Sequence, residues 1–91
     1  GIAMIEREAK IVNQLGMHAR PAAALVKLAS GFQSEIELVK DGMAVNGKSI
    51  MGVMMLAAEC GSSIVLKATG PDEDAAIQAI AALVAGGFGE T

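Results

Sequence analysis

The 91-residue chain contains one histidine, His18, within the run Gly16-Met17-His18-Ala19-Arg20-Pro21. Imidazole is the side chain here that can be a neutral nucleophile near pH 7. An arginine follows two residues on, bringing a permanent forked donor suited to phosphate or carboxylate. A proline comes next, where the first turn of a helix tolerates its missing N–H. A helix beginning here presents backbone N–H groups without intrahelical partners, together with a partial positive charge. Those are the ingredients of an anion site. A nucleophile set in an anion cradle suits a residue that accepts a phosphoryl group. The bland alternative is a capping or surface histidine, and a cap has no need of Gly16, Arg20 and Pro21 around it.

Composition narrows the remaining possibilities. The formal net charge is −3, with no Trp, no Tyr and two Phe. No basic run or aromatic stacking platform appears, so nucleic acid is not an expected partner. No apolar stretch nears the roughly 20 residues that span a bilayer, so membrane insertion is not expected either. Gly1-Ile2-Ala3-Met4-Ile5 lacks the basic start and long apolar centre of a signal peptide. Met4 reads as the native initiator, with Gly1-Ile2-Ala3 added ahead of it, and the expected compartment is the cytoplasm. Cys60 is the single cysteine, which excludes an internal disulfide, and one His with one Cys far apart offers no metal site. Cys60 is expected as a small buried or capping residue. No cofactor is implied.

To position His18 the chain must supply a framework, and its pattern gives one domain over residues 1–91. Ile5 to Val12 alternates, with Ile5, Ala9 and Ile11 opposite Glu6, Glu8 and Lys10, as in a strand with one wet face. Asn13 to Gly16 reads as a loop. A helix is expected from Ala19 to Ala29 or Ser30, with Gly31 as a left-handed C-terminal residue. Its core stripe is Ala22, Leu25, Val26 and Ala29; Arg20, Ala24 and Lys27 lie opposite. Ser34 to Lys40 and Met43 to Val45 form a hairpin about Asp41-Gly42. Ser49 is placed to cap a second helix from Ile50 to Glu59, apolar almost all round, with Val53, Leu56, Ala57 and Cys60 inward. Ile50, Met51, Met54 and Met55 are expected on its exposed side as an adaptable partner surface. Ser62 to Thr69 is a fourth strand. A last helix opens near Pro71 with three acids, Asp72 to Asp74, at its positive end, and Ile77, Ile80, Ala81 and Val84 face the core. Gly86-Gly87 ends it, Phe88 tucks back, and Gly89 to Thr91 frays. The order β-α-β-β-α-β-α calls for two layers: a four-stranded, mostly antiparallel sheet with three helices on one face, an α+β fold.

Leu15-Gly16-Met17-His18-Ala19-Arg20-Pro21-Ala22 resembles the active-site segment of the HPr family, the histidine-containing phosphocarriers of the bacterial phosphotransferase system (PTS). Lys48-Ser49-Ile50-Met51-Gly52-Val53-Met54 resembles the same family's second signature, around a regulatory serine, and the spacing between the two agrees. The resemblance implies an open-faced β-sandwich and a cytoplasmic phosphoprotein of sugar transport. In it His18 would receive a phosphoryl group, on Nδ1, from phosphoenolpyruvate-charged enzyme I and pass it to an EIIA-type acceptor. The carrier would not itself be an enzyme. Arg20 would stabilise the phosphate, with backbone donors at Ala19 and Arg20. Arg20, Ala24, Lys27, Lys48, Ile50, Met51, Met54 and Met55 would form the docking surface of a monomer. Ser49 would be a target for HPr kinase/phosphorylase. The alternative reading is a regulatory HPr-like binding module in a nitrogen- or carbon-control phosphorelay.

Overall fold

Strands send every second side chain to one face; β2 (Glu35–Lys40) and β4 (Ser63–Thr69) alternate buried and more exposed residues accordingly, while in β1 (Ile5–Lys10) the exposed Arg7 breaks the apolar parity of Ile5 and Ala9. The computed structural model describes residues 4–90; Gly1-Ile2-Ala3, the residues read as added ahead of an initiator, and Thr91 lie outside the described residues. Strands β1 (Ile5–Lys10), β2 (Glu35–Lys40), β3 (Met43–Asn46) and β4 (Ser63–Thr69) form one sheet in the order β1-β4-β2-β3. All three pairings are antiparallel. The register sets Ala9 beside Ile64, Leu66 beside Leu38, and Ala68 beside Ile36 on one buried face. The other face aligns Glu6, Lys67 and Glu37, with a Lys67–Glu6 ion pair at 3.5 Å. The β2–β3 hairpin turns at Asp41-Gly42, both with positive φ (51° and 81°), as a two-residue type I′ connection requires.

Helices α1 (Ala19–Ser30), α2 (Ile50–Met55) and α3 (Glu73–Ala85) cover the apolar face of the sheet. The core is aliphatic, with Ile11, Leu25, Leu38, Val53, Ile64, Leu66, Ile80 and Val84 fully buried. Each such side chain contributes about 1.5–3 kcal/mol relative to exposure. Phe32 and Phe88 pack half-buried against its edge.

Several boundaries differ from the sequence expectation, for identifiable reasons. Helix α2 ends at Met55, four residues short of the expected Glu59. The amides of Leu56 and Ala57 bond three residues back, to Val53 and Met54, and Ala57 turns left-handed at φ 50°. That tightening aims the Ala58 carbonyl at the Met17 amide, 2.8 Å away. In consequence Ala57 and Cys60 lie on the surface, where the helical stripe had put them inside, and Ala58 is buried instead. Gly31 closes α1 in the right-handed region (φ −77°) with a three-residue-back bond to Leu28, not as a left-handed cap. Val26 is only half-buried. Helix α3 starts at Glu73, leaving Pro71 in the preceding turn. Asp72 occupies the N-cap position but turns its carboxylate outward, where it accepts from the amides of Gln33 and Ser34 at 2.9 Å each and from the Ser34 hydroxyl at 2.5 Å. These bonds hold its carboxyl below the usual aspartate range, the Ser34 hydroxyl acting most strongly.

Candidate functional site

His18 is the N-cap residue of α1: its backbone is extended (φ −87°, ψ −172°), and its carbonyl accepts from the Ala22 amide at 3.0 Å. Its side chain makes no capping hydrogen bond, which leaves the imidazole available for other work. The amides of Ala19 and Arg20 have no acceptor among the described residues. Both are therefore open donors at the positive end of a 12-residue helix. Pro21, inside the first turn, is buried and has no N–H to satisfy.

Gly16 and Met17 fix the approach to this helix. Gly16 has φ +69°, and a Cβ there would lie 2.6 Å from the Ala58 carbonyl oxygen. Only glycine permits both that backbone and that closeness. Met17 is buried and is held by its bond to Ala58. The histidine is thus stationed by a loop clamped between the end of β1 and the segment after α2.

The imidazole meets the carboxylate of Glu90, in the segment expected from sequence to fray. Past α3 the chain makes a 3-10 turn, Gly87–Gly89, in which Gly87, Phe88 and Gly89 all take positive φ (65°, 59° and 73°). This left-handed turn brings Glu90 back to the site, where its carboxylate lies 2.9 Å (Oε2) and 3.2 Å (Oε1) from His18 Nε2. Glu90 is anchored in turn by Asn13, whose Nδ2 donates to Glu90 Oε1 at 3.0 Å and to the Gly16 carbonyl at 2.7 Å. Asn13 is 3% exposed. A carboxylate has no proton to offer, so the ring nitrogen facing it is the donor. Nδ1 has no partner among the described residues. Asn13 and Glu90 are the site residues that sequence reasoning missed. They stand 77 positions apart, and neither belongs to a periodic pattern.

The remaining expected residues are distributed around this point. Arg20 is exposed, without an ion-pair partner among the described residues, and lines an open cleft of about 550 Å³ with Gln14, Leu15, Phe88, Gly89 and Glu90. Lys27 is exposed in the last turn of α1, and Ala24 is half-buried. Lys48 is engaged differently: its Nζ donates to the Phe32 carbonyl at 2.7 Å, tying the start of α2 to the end of α1. Ser49 caps α2, its Oγ accepting from the Gly52 amide at 3.1 Å. Ile50 (44% exposed), Met51 (73%), Met54 (40%) and Met55 (64%) stand on the surface, while Val53 of the same helix is fully buried. Among the described residues no three of His, Cys, Asp and Glu gather as metal ligands, and no helix is long and apolar enough to cross a membrane.

The chain is similar to known proteins in sequence and in fold. A family model described as the PTS HPr component phosphorylation site matches residues 5–86. Phosphocarrier protein HPr of Cupriavidus necator is 49% identical over 87 residues, 96% of this chain and 98% of its own. That of Treponema pallidum is 51% identical over 87 residues, covering 96% and 99%. The crystal structure of HPr-C-His from Thermoanaerobacter tengcongensis superposes with a TM-score of 0.92 at 46% identity, over 96% of this chain and 98% of that one.

Proposed function

The chain belongs to the HPr family of bacterial phosphotransferase-system phosphocarriers, and from that premise we propose that His18 is its phosphoryl acceptor, charged by enzyme I and discharged to EIIA-type domains. The observation that carries this reading is the placement of the imidazole: on the N-cap of α1, free of any capping bond, beside two open amides, with Nδ1 unpartnered among the described residues. A phosphoryl group brings close to two negative charges at neutral pH. Each exposed charge–dipole contact with the Ala19 and Arg20 amides contributes roughly 0.3–1 kcal/mol. Contacts of that size hold the group without trapping it, as a carrier requires. The Arg20 guanidinium neutralises charge as it develops in either direction of transfer. The domain supplies acceptor, cradle and handle, and its partners supply the catalysis, so it acts as a carrier and not as an enzyme.

The handle is the apolar side of α2. Ile50, Met51, Met54 and Met55 give partners a deformable apolar centre, rimmed by Arg20 and Lys27 with Ala24 between them on α1. Lys48 joins the rim while it bonds Phe32. Such a surface fits acidic partners of the cytoplasm, met by a monomer. Ser49 lies where a phosphate would meet the start of α2 and place charge against that apolar centre, which supports a regulatory role through an ATP-dependent kinase.

Labelling with phosphoenolpyruvate and enzyme I, comparing wild type with His18→Ala, tests the central claim. Wild type is expected to take one phosphoryl group and the variant none. Equal labelling of the two would displace His18 from its role, and labelling of neither would favour a binding module without transfer.

A further inference from the structure

Glu90 contributes to no part of the phosphoryl cradle, yet its carboxylate is the hydrogen-bonding partner of the acceptor ring. We propose that Glu90 is a positioning residue that keeps the His18 proton on Nε2, so that the Nδ1 lone pair faces outward for attack; this rests on His18 being the acceptor. A neutral imidazole has one proton to place on either nitrogen, and the partner of one nitrogen decides the state of the other. A carboxylate can only accept, so its presence 2.9 Å from Nε2 favours the Nε2–H form. Carboxylates hold catalytic imidazoles in one tautomer in the same way in Ser-His-Asp triads.

The carboxylate is itself built in. Asn13 is buried and uses both amide hydrogens, one on the Gly16 carbonyl and one on Glu90 Oε1. One side chain thereby ties the loop that presents His18 to the acid that orients it. The turn that delivers Glu90 packs on the same residue: a Cβ on Gly87 would lie 3.8 Å from Asn13 Cβ and 3.7 Å from Val12 Cγ2. Phe88 holds a left-handed backbone, uncommon for a bulky side chain, and rests half-buried against the core.

The balance of the step agrees with the assignment. Nδ1 attacks the phosphorus of a donor phosphohistidine, and an N–P bond forms at His18 while the donor's N–P bond breaks. The bonding pair returns to the donor nitrogen, and no proton needs to move. The His18 ring, retaining its Nε2 proton, becomes a phosphoryl-imidazolium, and the Glu90 carboxylate faces the positive charge that results. Without Glu90, part of the population carries its proton on Nδ1 and must exchange it before reacting.

Two readouts on Glu90→Ala and Glu90→Gln test the proposal. The first is the tautomer of the neutral His18 ring, from its nitrogen-15 shifts and long-range proton–nitrogen couplings. The second is the initial rate of phosphoryl acceptance from phosphoenolpyruvate and enzyme I. The Nε2–H form is expected to dominate in wild type and to lose population in Glu90→Ala. Acceptance is expected to fall about tenfold in Glu90→Ala, the scale of one charge-assisted hydrogen bond. Glu90→Gln keeps an acceptor oxygen without the charge and is expected to fall between the two. An unchanged tautomer ratio in Glu90→Ala, or an unchanged rate despite a shifted ratio, overturns the assignment. Loss of rate without any tautomer shift also overturns it. Failure of the underlying reading looks different: His18→Ala would then be labelled as wild type is, whatever Glu90 does.

Discussion

The amide of Met17 donates to the carbonyl of Ala58 over 2.8 Å, joining the loop that presents His18 to the segment leaving α2. Gly16 is what allows the two segments so near each other. Replacing it with alanine sets a Cβ 2.6 Å from the Ala58 oxygen and asks an L-residue to hold φ +69°. Neither side of that contact is a flexible side-chain tip, so backbone must shift. Gly16→Ala is expected to lose about 1–3 kcal/mol of stability and to slow phosphoryl acceptance by displacing His18. Gly42→Ala is the control, since its Cβ meets nothing within 4 Å, and it should lose about 1 kcal/mol from its positive φ alone. Urea unfolding of both variants, with acceptance rates alongside, checks the pair. Equal losses for the two would show that the closeness at Ala58 does not matter.

The exposed methionines and the buried valine of α2 separate docking from folding. Met51→Asp changes a side chain that is 73% exposed and is expected to leave stability within about 0.5 kcal/mol, while raising the enzyme I concentration needed for half-maximal transfer. Val53→Ala empties a site with no exposure at all and is expected to lose about 1–3 kcal/mol with little change in transfer by the folded fraction. Thermal unfolding and transfer kinetics on the same preparations check the contrast. Reversal of the two patterns would remove α2 from the docking surface.

Lys27 is unpaired among the described residues and belongs to the rim of the proposed docking surface, where its charge would act over distance. Lys27→Glu is expected to slow transfer several-fold at low salt and far less at about 0.5 M salt, where the Debye length shrinks below that of physiological buffer. Initial rates across a salt series check it. A defect of equal size at every ionic strength would point to lost packing and not to charge.

Asp72 gives stability a dependence on pH. Its hydrogen bonds to Ser34 and Gln33 lower its folded pKa below the ordinary 3.8. A carboxyl with a depressed folded pKa stabilises the fold fully above its unfolded pKa, and that contribution is lost as pH falls through the folded value. The stability gap between wild type and Asp72→Ala is therefore expected to be level above about pH 5 and to narrow steadily with further acidification. Urea midpoints measured from pH 7 downward check this. A gap that widens on acidification would contradict the bonding described here.

Strands with one wet face were legible because Glu6, Glu8, Lys10, Glu35 and Glu37 mark it plainly, and the observed sheet uses the expected faces. His18, Arg20 and Ser49 stood out because their neighbours are unusual, and the structure brings His18 and Ser49 to helix N-termini as expected. The end of α2 was not legible. Residues 56–60 continue the helical pattern of the sequence, whereas the observed segment turns away after Met55 and bonds Met17, far away in sequence. Glu90 was hidden for the same reason: a lone acid among terminal glycines carries no local signal, and its meaning depends on a turn made of three left-handed residues. Periodicity reports what a segment buries; it is silent about a hydrogen bond between segments that the pattern does not link.

The three segments that meet at His18 are Asn13 to Arg20, the residues following α2, and the turn ending in Glu90. Synthesis on the ribosome supplies them in that order, the histidine long before its carboxylate partner. A nascent chain halted before residue 87 would display His18 with its ring proton unassigned. The ring's carboxylate contact is thereby the last of these connections that a growing chain can make.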